Sequence, residues 1–401
     1  MGLVRALRER RPVAVLGAGA LIVAVVGGGA ALAVAISNGQ ANPSPSPIAF
    51  ESLEPTDSPT PGPTVWTRPD PTVTAAPEMV AATSDGVYLT LDQASLATRH
   101  PIAVMIDDHW GARPQSGLSQ ADVVYHAPAE GGIPRYMAIF QTQTPESIGP
   151  IRSSRYYYVE WAEEWDAMYV HCGGAPNALS YLAGINKTYV WNADEFKWGG
   201  KAAYMWRVDT RIKPHNVYTS GAKLEALAKK LGATAPFTKS PWTFADALPI
   251  ESRPEGGWIK VTYDHNAIGY AYDRATNTYL RSVQVEGNQY DAGNGQRIAP
   301  SNVIILNQKM YALAGEHNLA KHRLDVKTVG TGSAIVFNNG QVIPAVWSKK
   351  KHDAPTIITY ATGPLKGKPV PMVRGQIFVQ VVYPGLPVTY TIGKSIAPVI
   401  Q

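Results

Sequence analysis

The chain has 401 residues, 45% of them hydrophobic and 17% charged, a balance that excludes wholesale disorder and leaves room for two or three domains. Its single cysteine, Cys172, excludes an intramolecular disulfide and any zinc site built on two or more thiolates. The net charge of +5 is not gathered into a strongly basic run, so no nucleic-acid partner is expected.

Along the chain, Arg5, Arg8, Arg10 and Arg11 precede an uncharged apolar run over residues 13–36. As a helix that run spans roughly 36 Å, enough for a hydrocarbon core of about 30 Å. The arginines favour the cytoplasmic side. Residues 1–12 are therefore expected as a basic cytoplasmic tail and 13–36 as an anchor in the cell membrane, with the bulk of the chain extracytoplasmic. Ala33-Val34-Ala35 leaves a cleaved signal peptide as the alternative. Residues 37–78 turn to Pro, Ser and Thr, as in Pro43-Ser44-Pro45-Ser46-Pro47. They bury too little to fold, which predicts a disordered, extended linker of up to about 130 Å.

Residues 79–249 alternate strand-like and helix-like stretches and are expected to form a mixed α/β domain. The expected strands are 100–106, 136–141 and 168–170. The expected helices are 116–122 with Ser116 as N-cap, 153–164 with Tyr157, Trp161 and Trp165 at helical spacing, and 220–231 ending at Gly232. Residues 250–401 read as β-rich, with strands near 258–263, 268–273, 279–283, 303–306, 334–337, 342–347 and 376–382. Asn339-Gly340 marks a two-residue hairpin. The fold class is thus α+β, preceded by one transmembrane helix and a linker.

The densest polar constellation lies between residues 107 and 155: Asp107-Asp108-His109, Arg113, Asp122, Glu130, Arg135, Arg152 and Arg155. Several of these follow strand-like runs, where α/β folds gather ligands. Arginine forks match carboxylate or phosphate, so an anionic ligand fits, although mutual ion pairs that merely hold loops are the structural alternative. His171 and His215 add two imidazoles from later segments. Cys172 beside His171 invites a thiol-nucleophile reading, but adjacent strand residues point to opposite faces, and a lone cysteine in an apolar stretch is usually core. A metal site from Asp107, Asp108, His109, His126, His171 and His215 matches no ligand spacing. Tyr156-Tyr157-Tyr158, Trp161, Trp165, Trp191, Trp198 and Trp206 suggest either a glycan-stacking cleft or ordinary core. No nucleophile elbow, phosphate loop or dinucleotide fingerprint is present, and no cofactor is indicated.

The run Pro101-Ile102-Ala103-Val104-Met105-Ile106-Asp107-Asp108, followed by Ala112-Arg113-Pro114-Gln115-Ser116-Gly117-Leu118 and Ala121-Asp122-Val123-Val124-Tyr125, resembles the YerB-like lipoprotein family. So do Glu130-Gly131-Gly132-Ile133, Arg135 to Phe140, Ile148 to Ser153, Pro214-His215-Asn216 and the segment 332–347, and the resemblance spans nearly all of residues 97–390. It implies an uncharacterised two-domain protein outside the bacterial membrane. Lipoprotein members are anchored through a cysteine after the signal segment; here no cysteine stands there, so the apolar helix is expected to do that work.

The leading functional expectation is an envelope protein that binds an anionic or glycan-type cell-wall ligand through Asp107, Arg113, Asp122, Glu130, Arg135, Arg152, Arg155, His171 and His215. One alternative is a cell-wall hydrolase or transferase with Glu130 or Asp122 as general acid or base. The other is a scaffold for wall-synthesis proteins in which these residues serve stability alone.

Overall fold

The computed structural model describes residues 78–284 and 286–393. The expected tail, membrane anchor and nearly all of the linker lie outside the described residues. Among the described residues no helix is long and apolar enough to cross a membrane.

The strands of the first half are β1 (Ile102–Asp107), β2 (Val123–Pro128), β3 (Pro134–Phe140), β4 (Met168–His171) and β5 (Trp191–Asp194). The helices are α1 (Tyr156–Glu163), α2 (Pro176–Ile185) and α3 (Gly221–Leu231). Then follow β6 (Gly257–Tyr263), β7 (Asn266–Asp273), β8 (Thr278–Val283), β9 (Asn302–Asn307), β10 (Gly330–Asn338), β11 (Gln341–Lys349), β12 (Ile357–Tyr360), β13 (Ile377–Val382) and β14 (Val388–Ile392).

Strands from both sides of residue 250 share one ten-stranded sheet, ordered β12-β11-β10-β9-β13-β2-β3-β1-β4-β5. The join is a parallel pair, with Ile377 opposite Val123 and Gln380 opposite His126. A second, antiparallel sheet runs β8-β7-β6-β14, extended beside β8 by Gly287–Asn288.

Every residue of β1, β2 and β3 is buried, because both faces of the large sheet are covered. Alternation along β1 assigns the faces. Ile102, Val104 and Ile106 join Val124, Tyr136 and Ala138 against α3 (Leu224, Leu227) and the second sheet (Ile259, Val261, Tyr270). Ala103 and Met105 join Tyr125, Met137 and Ile139 against Tyr157, Tyr158, Trp161 and Trp165 around α1. These aromatic side chains are thus core. At about 25 cal/mol per Å2 of apolar surface, each of these large rings contributes several kcal/mol to the sheet–helix layer.

Helix α3 follows its sequence signals closely: the Ser220 side chain caps Lys223 N, and Gly232 takes φ +83°. The β10–β11 hairpin turns on Asn339 and Gly340 with φ of +50° and +68°. A Cβ on Gly340 would stand 2.4 Å from the Tyr272 ring.

The helix expected at 116–122 is not formed; only Leu118–Gln120 makes a 3-10 turn. The backbone N–H groups of Gly117 and Ser119 donate instead to the carboxylate of Asp291, 2.9 and 2.8 Å away, and Ser116 N donates to Gly149 O. A remote acceptor has taken the donors a helix would leave open at its start.

Candidate functional site

One end of the large sheet gathers most of the polar residues. The carboxyl ends of β1, β2, β4 and β5 meet there with the amino end of β3, so that Asp107 and Ala127 both lie opposite Arg135, and His171 lies opposite Asp194. The segment 148–155 runs alongside: Arg152 N donates to Met105 O, and Cys172 N donates to Arg152 O. Sheet pairing and this strap therefore fix the backbone on which the site stands.

Asp107, almost fully buried, is the hub. Its Oδ2 receives His215 Nδ1 at 2.7 Å and lies 3.0 Å from Arg152 Nε, while Oδ1 accepts His109 N at 3.1 Å. The rings of His109 and His215 stack at 4.5 Å, and Trp110, 62% exposed, lies 3.7 Å from His109. His109 Nδ1 accepts from Gly111 N, and burial, then the neighbouring His215, lower its pKa from the ordinary value. Arg152 keeps a quarter of its side chain exposed, and among the described residues its ion pair with Asp107 runs through Nε, not through the Nη groups. Burial outweighs the Asp107 charge there, and the nearby Arg135 adds to the lowering of its pKa.

Beside it, Glu130 draws three guanidinium groups: Arg135 Nη2 at 3.0 Å, Arg155 Nη2 in close contact, and Arg323 Nε at 3.7 Å. Burial pushes the Glu130 carboxyl up, but Arg135 and Arg155 outweigh it and hold it at about 2. Arg155 is lowered to about 10 by burial and by the like charge of Arg135, against the opposing pull of Glu130. Its Nε is buried with no hydrogen-bond partner among the described residues.

Asp107, Glu130, Arg135, Arg152, Arg155 and His215 are thus brought together. Arg113 faces the interior: its Nε and Nη2 bind Asp108 and its Nη1 reaches both oxygens of Glu286, all at 2.9–3.0 Å. With Asp108 also bound to His126, and His126 to Gln380, this network ties β1 and β2 to β13. Its donors are committed, which removes Arg113 from the ligand set. Asp122 sits at the opposite end of β2, accepting from Gln141 N, Thr142 N and the Thr142 hydroxyl. It fastens β2 to the chain leaving β3 and cannot reach the site. His171 is fully buried with Nδ1 on Gly173 O and Nε2 on Asn192, so neither nitrogen is open to a ligand.

Cys172 donates to Glu195 Oε2 at 3.4 Å, and Arg207 binds the same carboxylate at 3.0 Å. Burial, then Glu195, push the thiol up to about 11, which disarms it as a nucleophile. Among the described residues no group of three His, Cys, Asp or Glu is placed to hold a metal ion.

Sequence reading places His109 in the polar run without separating it from its neighbours. Arg207 stands in the polar run before Pro214-His215-Asn216, but its partner Glu195, and Arg323 beside Glu130, arrive from remote segments with no motif to mark them. Of the apolar rim it names Trp206 and misses Trp110, Phe196 and Ile212; all four are exposed, each adjoining or contacting a residue of this end of the sheet.

Residues 89–234 match the N-terminal domain, and residues 259–379 the C-terminal domain, of a family described as protein of unknown function, DUF3048. The chain is 32% identical over 297 residues to the putative lipoprotein YerB of Bacillus subtilis, covering 72% of this chain and 83% of that one. The crystal structure of YerB from Bacillus subtilis superposes with a TM-score of 0.66 at 27% identity, covering 78% of this chain and 99% of that one.

Proposed function

Because the chain belongs to the YerB-like family, whose two domains are of unknown function, we propose its role from the site itself: it holds an anionic ligand on the arginines around Glu130 and Asp107. The observation that carries this reading is the charge balance. Arg135, Arg155 and Arg323 converge on one carboxylate, while Arg152 shares Asp107 with His215. Three guanidinium groups thus share one carboxylate among the described residues, and Arg155 is depressed first by burial and then by the like charge of Arg135. A phosphate or carboxylate group reaching Arg152 would supply a further counter-charge.

The exposed rings of Trp110, Phe196 and Trp206 offer apolar faces on which a sugar chain could stack, so an anionic polymer of the cell envelope is the ligand class we favour. The relative's name, putative lipoprotein, supports an extracytoplasmic protein associated with a membrane. Residues 13–36 would be its anchor.

The test is titration of the full chain, in mild detergent, with inorganic phosphate against chloride at matched ionic strength, read by calorimetry and melting temperature. Phosphate-specific heat and stabilisation are expected, and both vanish in Arg152→Ala. A wild-type response identical to that with chloride sinks the reading.

A further inference from the structure

We propose that His215, oriented by Asp107, is the general base of a phosphodiester hydrolase centred on Arg152. The proposal rests on the anion reading above and adds a reaction to it.

The tautomers follow from the partners. His215 Nδ1 lies 2.7 Å from Asp107 Oδ2, a group that can only accept, so Nδ1 carries the proton and Nε2 keeps its lone pair. No hydrogen-bond partner meets Nε2 among the described residues, and the side chain is 15% exposed. A carboxylate behind one imidazole nitrogen with the other left open is the arrangement that makes histidine a base. Gly111 keeps it open: a Cβ there would come within 3.3 Å of His215 Cδ2 and 3.6 Å of Nε2. The stacked His109 has the opposite tautomer when neutral. Its Nδ1 accepts from Gly111 N at 3.1 Å, which leaves Nε2–H as a donor.

Arg152 decides the substrate class. It meets the same oxygen of Asp107 as His215 does, so an anion on its Nη groups lies beside the base. A phosphodiester carries its negative charge on the reacting centre, so one group can engage both; a carboxylic ester carries none there. In the reaction a water oxygen bonds to phosphorus as its proton passes to His215 Nε2. The P–O bond to the leaving alkoxide breaks with its electron pair, the alkoxide takes a proton from solvent, and His215 returns its own to solvent. Water and diester become a monoester and an alcohol, with Arg152 and His109 Nε2–H holding the non-bridging oxygens.

The experiment uses the full chain in detergent with EDTA present. Phosphate binding is measured calorimetrically, and release of p-nitrophenol from bis(p-nitrophenyl) phosphate and from p-nitrophenyl acetate is followed separately. Wild type is expected to bind phosphate and cleave the diester; His215→Gln binds phosphate and cleaves at least about 100-fold more slowly. Gly111→Val, which crowds His215 Cδ2 and Nε2 from the side away from the Nδ1–Asp107 bond, loses turnover likewise. Asp107→Asn, the positioning residue, lowers kcat and displaces the acid limb of the pH–rate profile. Phosphate binding with no diester cleavage, or with cleavage unchanged in His215→Gln, overturns the hydrolase and leaves the anion site standing. Cleavage of the acetate alone overturns the substrate class. Absence of phosphate binding overturns both readings.

Discussion

Replacing Glu130 by glutamine removes the carboxylate that balances Arg135, Arg155 and Arg323 while keeping its shape. The fall of the Glu130 pKa from 4.5 to about 2 corresponds, at about 1.36 kcal/mol per unit, to about 3 kcal/mol of stabilisation. Because its folded value is depressed, that contribution is fully present above pH 4.5 and is lost as the pH falls toward 2. At pH 7 the substitution should lower the melting temperature by about 6 °C, taking about 2 °C per kcal/mol for a domain of this size. Phosphate then supplies the counter-charge that Glu130 gave these arginines. At ten times its Kd it returns about 1.4 kcal/mol, or about 3 °C, more than it gives wild type, where Glu130 competes for the same arginines. Scanning calorimetry in phosphate and in chloride at equal ionic strength measures both. An unchanged melting temperature would refute the claim that Glu130 anchors the cluster. A phosphate gain no larger in Glu130→Gln than in Arg152→Ala would refute the claim that the arginines lack an anion.

Two further outcomes follow from groups that the structure assigns to scaffolding. Cys172, with its thiol at about 11, should react with iodoacetamide at neutral pH roughly 100-fold more slowly than a free thiol, by mass spectrometry, and Glu195→Gln should accelerate it. Labelling as fast as glutathione would contradict the thiol–carboxylate contact. Asp122→Asn should cost about 1–3 kcal/mol in urea denaturation, because its amide would face backbone N–H donors, while phosphate binding stays intact. A loss of binding without a loss of stability would restore Asp122 to the site.

The elements legible in the sequence are those with local causes. Ser220 and Gly232 bracket α3, Asn339-Gly340 turns the hairpin, and the apolar runs at 102–107 and 377–382 become central strands. Where a distant group intervenes, the local pattern misleads. Asp291 takes the amides that would have started a helix after Ser116, and nothing near residue 116 announces it. The site divides along the same line. Asp107, Arg152 and His215 stand in runs whose polarity is visible, whereas the roles of Arg113 and His171 depend on Glu286, far away in the chain, and on Asn192 of the neighbouring strand, which no local pattern announces. A charged residue in a loop shows that charge is wanted, not which side of the sheet end it faces. The division at residue 250 drawn from composition runs through a single sheet, because the parallel β2–β13 pair leaves no compositional trace.

That parallel pair has a temporal consequence. Val123 waits for Ile377, about 250 residues downstream, and His126 beneath the site is braced by Gln380 from the same late strand. Until this strand emerges, β2 presents an open edge of unpaired amides and carbonyls, the kind of surface that recruits stray strands. The earlier segment therefore depends on the late one for a central neighbour: shortening the polypeptide at its far end should loosen a site built almost wholly from its near end.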